Sequence, residues 1–317
     1  MLDVITIGET MAAFAPECAG PLRYVRNYTL RIAGAESNLA IGLAKLGCRA
    51  GWFSKLGEDE FGCFVRNFIR AEGVDTSCVL FDCCRPTGVM FKETGANETE
   101  VFYYRKNSAA SSLEEEELPE SYLEDSRIIY ITGITPVLSE SCRRMIRRIV
   151  DFAGEKNILL GFDPNVRKKL WEGNDYTGLL REIALKSQIV MLGLPEAREL
   201  FGADNPEKVC EVLYTGGRAD WIAVKNGDQG AWVSERKSRK LIFIPPYPCR
   251  CIDPIGAGDA FNAGFIKGIL SGCEVEECGK IGAYAGALAT QSMGDIEGYP
   301  SWEDVRKFFS KEEPVYR

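Results

Sequence analysis

The sequence contains no histidine, and this absence removes several classes of catalytic chemistry. Without histidine, the chain cannot assemble a Ser-His-Asp or Cys-His nucleophile, a His-ligated zinc site or a histidine general base. Any proton transfer near neutral pH must therefore involve a carboxylate, a lysine, a cysteine or a tyrosine.

The chain also lacks an excess of positive charge and any long hydrophobic run. Its 38 basic and 46 acidic side chains give a formal net charge of −8, which argues against nucleic acid or a membrane surface as a partner. No apolar run approaches the roughly 18 to 20 residues of a spanning helix, and the first residues show no basic region of a secretory signal. We therefore expect a cytoplasmic protein.

C-x-x-C pairs are absent as well, although the chain has 12 cysteines. The cysteines are scattered singly or occur as Cys83-Cys84 and Cys249-x-Cys251. Because many lie in hydrophobic contexts such as Gly62-Cys63-Phe64, we expect them to be reduced and mostly buried.

Short runs of consecutive apolar residues recur and predict strands that are buried on both faces. They cover residues 4–7, 128–131, 158–162, 189–192 and 221–224. Amphipathic helical patterns lie between them, most clearly over residues 139–156. This alternation indicates an α/β fold with a doubly wound, mostly parallel sheet flanked by helices. We expect a single domain over residues 1–317.

Two stretches, residues 10–33 and 86–106, interrupt this pattern. Neither has a helical period, and the segments 22–32, 88–92 and 101–105 are typical of half-exposed strands. We expect these strands to pair into a small extra β-sheet at one edge of the domain, placed as a lid.

The most informative segment is Asp253-Pro-Ile-Gly-Ala-Gly-Asp259, which opens a long apolar helical run ending near Leu270. Gly256 and Gly258 would let the backbone approach a ligand, and free N–H groups in a helix's first turn bind anions such as phosphate. Asp259 could then accept a proton from a hydroxyl that attacks a bound phosphoryl group, or it could serve only as a helix cap. The segment matches neither G-x-x-x-x-G-K-[ST] nor G-x-G-x-x-G, which excludes a Walker-A NTPase and a Rossmann dehydrogenase as direct interpretations.

A second glycine turn, Ala33-Gly34-Ala35-Glu36-Ser37-Asn38, leads into a predicted helix that stops at Gly47. The two turns, in this order and at this separation, resemble the two motifs of ribokinase-type (PfkB) carbohydrate kinases, and the resemblance extends over essentially the whole chain. It implies a ribokinase-like fold with a small lid. It also implies Asp259 as catalytic base, the backbone of Gly256, Ala257 and Gly258 as anion hole, and Gly34 and Asn38 facing the sugar.

Within this family, residues 101–110, 162–171 and 192–196 are similar to segments of 2-keto-3-deoxygluconate kinases. Arg105 and Arg167 could hold the carboxylate of such a sugar acid by forked hydrogen bonds, which a neutral sugar would leave unpaired. Tyr103 and Asp295 would add contacts to the sugar, whereas Met90 stands where related enzymes place a tyrosine. The resemblance implies ATP-dependent phosphorylation of the 6-hydroxyl of 2-keto-3-deoxygluconate. Fructose, 2-deoxy-5-keto-gluconate and 2-keto-3-deoxygalactonate remain alternative substrates, and a catalytically silent sugar-binding regulator is the alternative of another class.

Residues 224–231 resemble the family's ATP-side loop, in which Lys225, Gly227 and Gly230 would contact the nucleotide. An ordinary β-turn between two strands is the alternative for the two glycines. The resemblance places Asn165 on the nucleotide side too, and Glu196 near the Mg²⁺-phosphate site, where it would act through water because Mg²⁺ keeps several of its waters. No residue is predicted to bind a metal directly.

Two further expectations concern partners. The family often has threonine where Pro254 and Ile255 stand, so the resemblance leaves a monovalent-cation site open. It also implies a homo-oligomer that assembles through the lid, because unpaired strand edges invite pairing.

Overall fold

In a computed structural model, which describes residues 1–94 and 99–310, three sheets contain the strands of the chain. The strands are β1 (Leu2–Ile7), β2 (Met11–Pro16), β3 (Tyr28–Ala33), β4 (Ala50–Phe53), β5 (Lys55–Gly57), β6 (Leu80–Asp82), β7 (Val89–Thr94), β8 (Thr99–Tyr104), β9 (Ser126–Thr132), β10 (Leu159–Asp163), β11 (Ile189–Gly193), β12 (Trp221–Lys225), β13 (Ala231–Glu235) and β14 (Leu241–Ile244).

Eight of these strands form the central sheet in the order β14-β13-β12-β11-β10-β9-β1-β4. The six strands from β12 to β4 are parallel, and β13 and β14 add an antiparallel edge. Successive side chains enter opposite hydrophobic clusters, since Val4 and Ile128 belong to one cluster and Ile5 and Ile129 to the other. The prediction of buried, mostly parallel strands is confirmed.

Helices cover both faces of this sheet. They are α1 (Ala35–Lys45), α2 (Glu60–Ala71), α3 (Glu120–Glu124), α4 (Thr135–Leu138), α5 (Glu140–Lys156), α6 (Thr177–Lys186), α7 (Leu194–Phe201), α8 (Pro206–Gly216), α9 (Ala257–Leu270), α10 (Val275–Ala289) and α11 (Trp302–Ser310). One cluster joins α1, α2, α9, α10 and α11 to the sheet, and the other joins α3 to α8. Helix α5 follows the predicted pattern: Ser139 caps its start by accepting from the Cys142 N–H, and Asn157 ends it with a φ of 55°.

A separate four-stranded sheet with the order β3-β2-β7-β8, called the small sheet below, contains the strands of the two interrupting stretches. Its inward face buries Met11, Ala13, Ala33 and Met90. The predicted strand over residues 22–32 is wrong at its start, because Leu22–Tyr24 forms a 3₁₀ turn and the strand begins at Tyr28. Residues 95–98 of the predicted segment 86–106 lie outside the described residues. The fold is therefore α/β with a second, smaller sheet, as predicted.

The expectation that the cysteines are mostly buried is wrong. All 12 are free, but only Cys142, Cys210 and Cys278 are buried. Cys63 is exposed because it lies on the outward face of α2, whose core contacts come from Gly62, Val65 and Ile69. Hydrophobic sequence neighbours on a helix point in other directions and do not bury the residue between them. Within residues 1–94 and 99–310, no helix is both long and apolar enough to cross a membrane.

Candidate active site

A cavity of about 970 Å³ lies between the small sheet and the carboxyl ends of β1, β9 and β10. Ligands of open α/β sheets bind at this edge, because the loops that follow parallel strands gather there. Nine of the residues singled out from the sequence line the cavity: Gly34, Asn38, Tyr103, Arg105, Asn165, Arg167, Gly256, Asp259 and Asp295.

The start of α9 forms one wall of this cavity. Gly256 caps the helix in the left-handed conformation with a φ of 81°, and no side chain caps the first turn. A Cβ at Gly256 would overlap the backbone of Asp295, so only glycine fits there. The Tyr299 hydroxyl donates to the Gly256 carbonyl at 2.8 Å and holds the turn. Free amides at a helix N-terminus beside a cavity suit an anion such as phosphate.

Asp259, in the first turn of α9, is a buried carboxylate whose pKa is raised from its ordinary value of 3.8 to about 7. Burial is the largest cause. The hydrogen bond from Asn38 and the charge of Lys225 oppose it, while Asp163 and Asp295 add to it. A carboxylate with a pKa near neutrality is suited to general-base chemistry.

Helix α1 brings the second glycine turn against α9. Gly34 caps α1, and a Cβ there would lie 2.6 Å from the Glu9 backbone oxygen, which requires glycine at this position. Asn38, one turn into α1, donates from Nδ2 to Asp259 Oδ2 at 2.9 Å and to Asp295 Oδ2 at 3.3 Å. The two motifs, more than 200 residues apart in sequence, therefore meet through a hydrogen bond.

Asp295 is buried in the loop that follows α10 and receives a second donor from the small sheet. Lys92 on β7 donates from Nζ to Asp295 Oδ1 at 2.7 Å. Burial raises the pKa of Asp295, whereas the Lys92 charge and the hydrogen bonds from Lys92 and Asn38 lower it.

Arg105 and Arg167 both line the cavity, but their surroundings differ. Arg105 is buried and ion-paired with Glu9, to which its Nε donates at 2.7 Å. Ser108 donates to the other Glu9 oxygen at 2.6 Å. Arg167 is exposed and has no ion-pair partner within the described part of the chain. Glu9 therefore already binds one edge of the Arg105 guanidinium group. The guanidinium group of Arg167 has no such partner among the described residues and can reorient toward a ligand.

Lys225, at the end of β12, also contacts α9. Its Nζ donates to Asp163 Oδ2 at 2.7 Å and to Asn262 Oδ1 at 3.0 Å. Asn262 in turn donates to Asp163 at 2.6 Å. A Cβ added at Gly258 would lie 3.7 Å from Lys225 Nζ, so the ammonium group borders the glycine turn of α9.

The other residues assigned to the nucleotide side are more widely spread. Gly227 and Gly230, with φ of 57° and 95°, shape the 3₁₀ turn between β12 and β13 and do not line the cavity. Asn165 lines it together with the sugar-side residues.

Glu196, at the start of α7, accepts the N–H group of Val166 on one oxygen at 2.7 Å and that of Gly193 on the other at 2.6 Å. Burial and Asp163 raise its pKa.

Sequence reasoning assigned no role to Glu9 and Glu36, which line the cavity. It also missed Lys92, which donates to Asp295, and Asp163 and Asn262, which accept from Lys225. Glu36 is fully buried, accepts from Thr132 and Thr135, and has a pKa raised by burial to about 7. The sequence could have indicated Lys92, because side chains alternate along a strand and Lys92 therefore shares a face of β7 with Met90. Met90 lines the cavity. For Glu9 no sequence signal existed, since its partner Arg105 is 96 residues away.

Comparison with known proteins identifies the family. The sequence profile of the pfkB family carbohydrate kinases matches residues 1–302. The 2-dehydro-3-deoxygluconokinase of Bacillus subtilis is 35% identical, over 100% of this chain and 98% of that protein. The 2-dehydro-3-deoxygalactonokinase of Haloferax volcanii is 30% identical, over 93% of this chain and 92% of that protein.

A solved structure shares the fold. An E. coli protein described as a ribokinase II, in complex with ATP and Mg²⁺, superposes with a TM-score of 0.90 at 24% identity, over 98% of this chain and 100% of that chain. The profile match covers nearly the whole chain, and the chain belongs to the pfkB family of carbohydrate kinases.

Proposed function

We propose that this protein transfers the γ-phosphoryl group of ATP to the 6-hydroxyl of 2-keto-3-deoxygluconate, the compound also called 2-dehydro-3-deoxy-D-gluconate. The observation that carries the proposal is Asp259, a buried carboxylate in the first turn of a helix that no side chain caps, facing a cavity that Arg105 and Arg167 also line. Full-length identity of 35% to a 2-dehydro-3-deoxygluconokinase supports the choice of sugar acid.

In this reaction Asp259 takes the proton of the attacking hydroxyl as its oxygen bonds to the γ-phosphorus and ADP leaves. Amides at the start of α9, from Gly256 to Gly258, would stabilise negative charge on the transferred phosphoryl group. Lys225 borders the same turn and would add a positive charge on the phosphate side. The pKa of Asp259 near 7 allows the carboxylate to be ionised at neutral pH and still to hold the proton it removes.

Mg²⁺ fits this site through phosphate and water. Asp163 already accepts from Lys225 and Asn262, and Glu196 already accepts two backbone N–H groups. These residues would hold the hydration shell of the ion, since Mg²⁺ commonly keeps several waters and binds chiefly to substrate phosphates. When bound, the ion neutralises charge on the phosphates.

A carboxylate on the sugar would meet Arg167 and the open edge of Arg105. The Glu9 pair holds the Arg105 guanidinium in place, so little side-chain freedom is lost on binding. A neutral sugar would leave the exposed Arg167 unused. The structure thus favours an acidic substrate over fructose, and the relative at 30% identity keeps the galactonate epimer as the second candidate.

The test is a coupled ADP-release assay with a panel of sugars. It contains 2-keto-3-deoxygluconate, its galactonate epimer, 2-deoxy-5-keto-gluconate and fructose, with Asp259→Asn as the inactive control. We expect the highest kcat/KM for 2-keto-3-deoxygluconate and a product whose ³¹P signal couples to the C6 protons. A higher kcat/KM for any other member would reject the substrate assignment, and no turnover with any sugar would favour a silent regulator.

We further infer that residues 1–317 form one kinase domain in which the small sheet is the lid, and that two copies join through its outward face. That face carries Phe14 stacked on Phe91 at 4.8 Å between ring centroids, with Phe102 and Tyr104 37% and 67% exposed. An aromatic sheet face next to free strand edges suits a second copy of the same sheet.

Light scattering during gel filtration tests this assembly. We expect a dimer that Phe102→Glu converts to a monomer, whereas Phe243→Glu leaves it intact. Phe243 is a matched control because it is 49% exposed on β14, at the edge of the central sheet. A monomeric wild type, or equal behaviour of the two variants, would contradict this proposal.

A further inference from the structure

Lys92 is a buried cation that the small sheet contributes to the neighbourhood of Asp259. Its Nζ lies 2.7 Å from Asp295 Oδ1 and 4.0 Å from Asp253 Oδ2. The side chains of Lys92 and Asp295 are only 6% and 7% exposed, so their ion pair is shielded from solvent. Removing one partner of such a pair leaves an uncompensated buried charge.

The ion pair continues into the catalytic region through one amide. Asp295 accepts from Asn38 Nδ2, and the same nitrogen donates to Asp259. Three contacts therefore connect Lys92 on β7 to Asp259 on α9, by way of the loop after α10 and of helix α1. Lys92 itself does not touch Asp259.

The orientation of the Asn38 amide depends on both carboxylates accepting hydrogen bonds. Its two N–H groups face Asp259 and Asp295, and its Oδ1 has no hydrogen-bond partner within residues 1–94 and 99–310. Lys92 lowers the pKa of the buried Asp295, so removing Lys92 favours the protonated carboxyl group there. The resulting O–H is a donor beside an unpartnered acceptor, so the amide would gain a hydrogen bond by turning Oδ1 toward Asp295 and withdrawing its N–H from Asp259.

We propose that Lys92 is a positioning residue, which holds the Asp295 carboxylate by an ion pair, fixes the Asn38 amide through it and thereby aims Asp259 at the sugar hydroxyl. The inference rests on the proposed function in that it takes Asp259 as the base of the kinase reaction. It gives the small sheet a second role: besides covering the cavity, the sheet supplies the lysine that orients the proposed base.

Arg31 provides a matched control. It lies on β3 of the same small sheet and pairs with Glu297, two residues after Asp295 in the same loop. This ion pair is more exposed, at 25% and 32%, and within the described residues it contacts neither Asn38 nor Asp259. Both lysine and arginine tie the sheet to the loop, but only Lys92 continues to the proposed base.

Steady-state kinetics with the sugar that the wild type phosphorylates fastest provide the first test. Lys92→Met should lower kcat by about 10- to 100-fold, the range expected when a catalytic group is misplaced by about 1 Å. KM for ATP should change less than about twofold, because the contacts from Lys92 lead through Asp295 and Asn38 to Asp259 and do not include Lys225. Lys92→Arg should recover most of the lost kcat, and Arg31→Met should stay within about threefold of the wild type. Equal losses in Lys92→Met and Arg31→Met would overturn the proposal.

A second measurement needs no turnover. In protein labelled with ¹⁵N-asparagine, the Asn38 side-chain signals are identified by their loss in Asn38→Ser. They should move in Lys92→Met and stay in place in Arg31→Met, and unmoved signals in Lys92→Met would reject the proposed role. Should Lys92→Met not fold, Lys92→Gln, which also removes the charge but leaves Asp295 unchanged, replaces it in this comparison. If the wild type phosphorylates no sugar, the proposed function fails while the amide signals still decide this inference.

Discussion

Replacing Asp259 by asparagine should abolish turnover and at the same time stabilise the fold at neutral pH. General-base catalysis contributes roughly 10²- to 10⁴-fold in rate, and asparagine cannot accept the proton. The stability gain follows from burial. Folding raises the pKa of Asp259 from 3.8 to about 7. This difference means that ionising the carboxyl group costs the folded state up to about 4 kcal/mol.

The sign of this effect sets its pH window. Below pH 3.8 the carboxyl is neutral in both the folded and the unfolded chain, so the substitution changes stability little. As the pH rises toward 7, the unfolded chain ionises while folded Asp259 stays protonated, and the wild type loses stability. The uncharged asparagine is free of this cost. Above the folded pKa the difference between the two proteins reaches its full size.

Thermal unfolding of both proteins at about pH 5 and about pH 8 checks this reasoning, alongside kcat at each pH. We expect Asp259→Asn to have the higher Tm, with the larger difference at the higher pH. For the wild type, kcat/KM should rise with pH through about 7, because only the ionised carboxylate accepts a proton. If Asp259 were only a helix cap, the variant would melt at a lower temperature and keep kcat within about tenfold of the wild type, and the assignment as base would be refuted.

Three further predictions concern the two arginines, the start of α9 and the turn between β12 and β13. Arg105→Ala and Arg167→Ala should each lower kcat/KM for 2-keto-3-deoxygluconate by an amount equivalent to about 2 to 4 kcal/mol. The loss should be much smaller for the analogue whose carboxylate is reduced to an alcohol. Equal losses on both substrates would refute carboxylate binding. Gly256→Ala should lower Tm and inactivate the enzyme, because the added Cβ would overlap the Asp295 backbone. Gly258→Ala should melt like the wild type, because its Cβ would meet no atom closer than 3.7 Å. Equal melting of the two variants would show that the turn at Gly256 tolerates a Cβ. Gly227→Val should raise KM for ATP far more than KM for the sugar, since a β-branched residue resists a φ of 57°; unchanged ATP kinetics in a folded variant would make this loop an ordinary turn.

Patterns of local sequence were sufficient for the main elements of the fold. The apolar runs became β1, β9, β10, β11 and β12, because strands buried on both faces need consecutive hydrophobic residues. Strand β3 was predicted too long, since Leu22–Tyr24 has the composition of a strand but adopts a 3₁₀ turn. Backbone pairing with a neighbouring strand decides such a boundary, and sequence alone carries no information on it.

Within the site, the sequence by itself determined the glycine turns, the carboxylate at the start of α9 and the arginines. A turn depends on neighbouring residues in the sequence, and the charge of a side chain depends on the residue itself. Only the tertiary structure decided which charges meet. It paired Arg105 with Glu9, joined Asn38 to Asp259 and Asp295, and brought Lys92 across from the small sheet. It also decided the pKa of Asp259, since burial and neighbouring charges from distant segments set the cost of ionising a carboxyl group. These are interactions between residues far apart in the chain, and they exist only once the fold has brought them together.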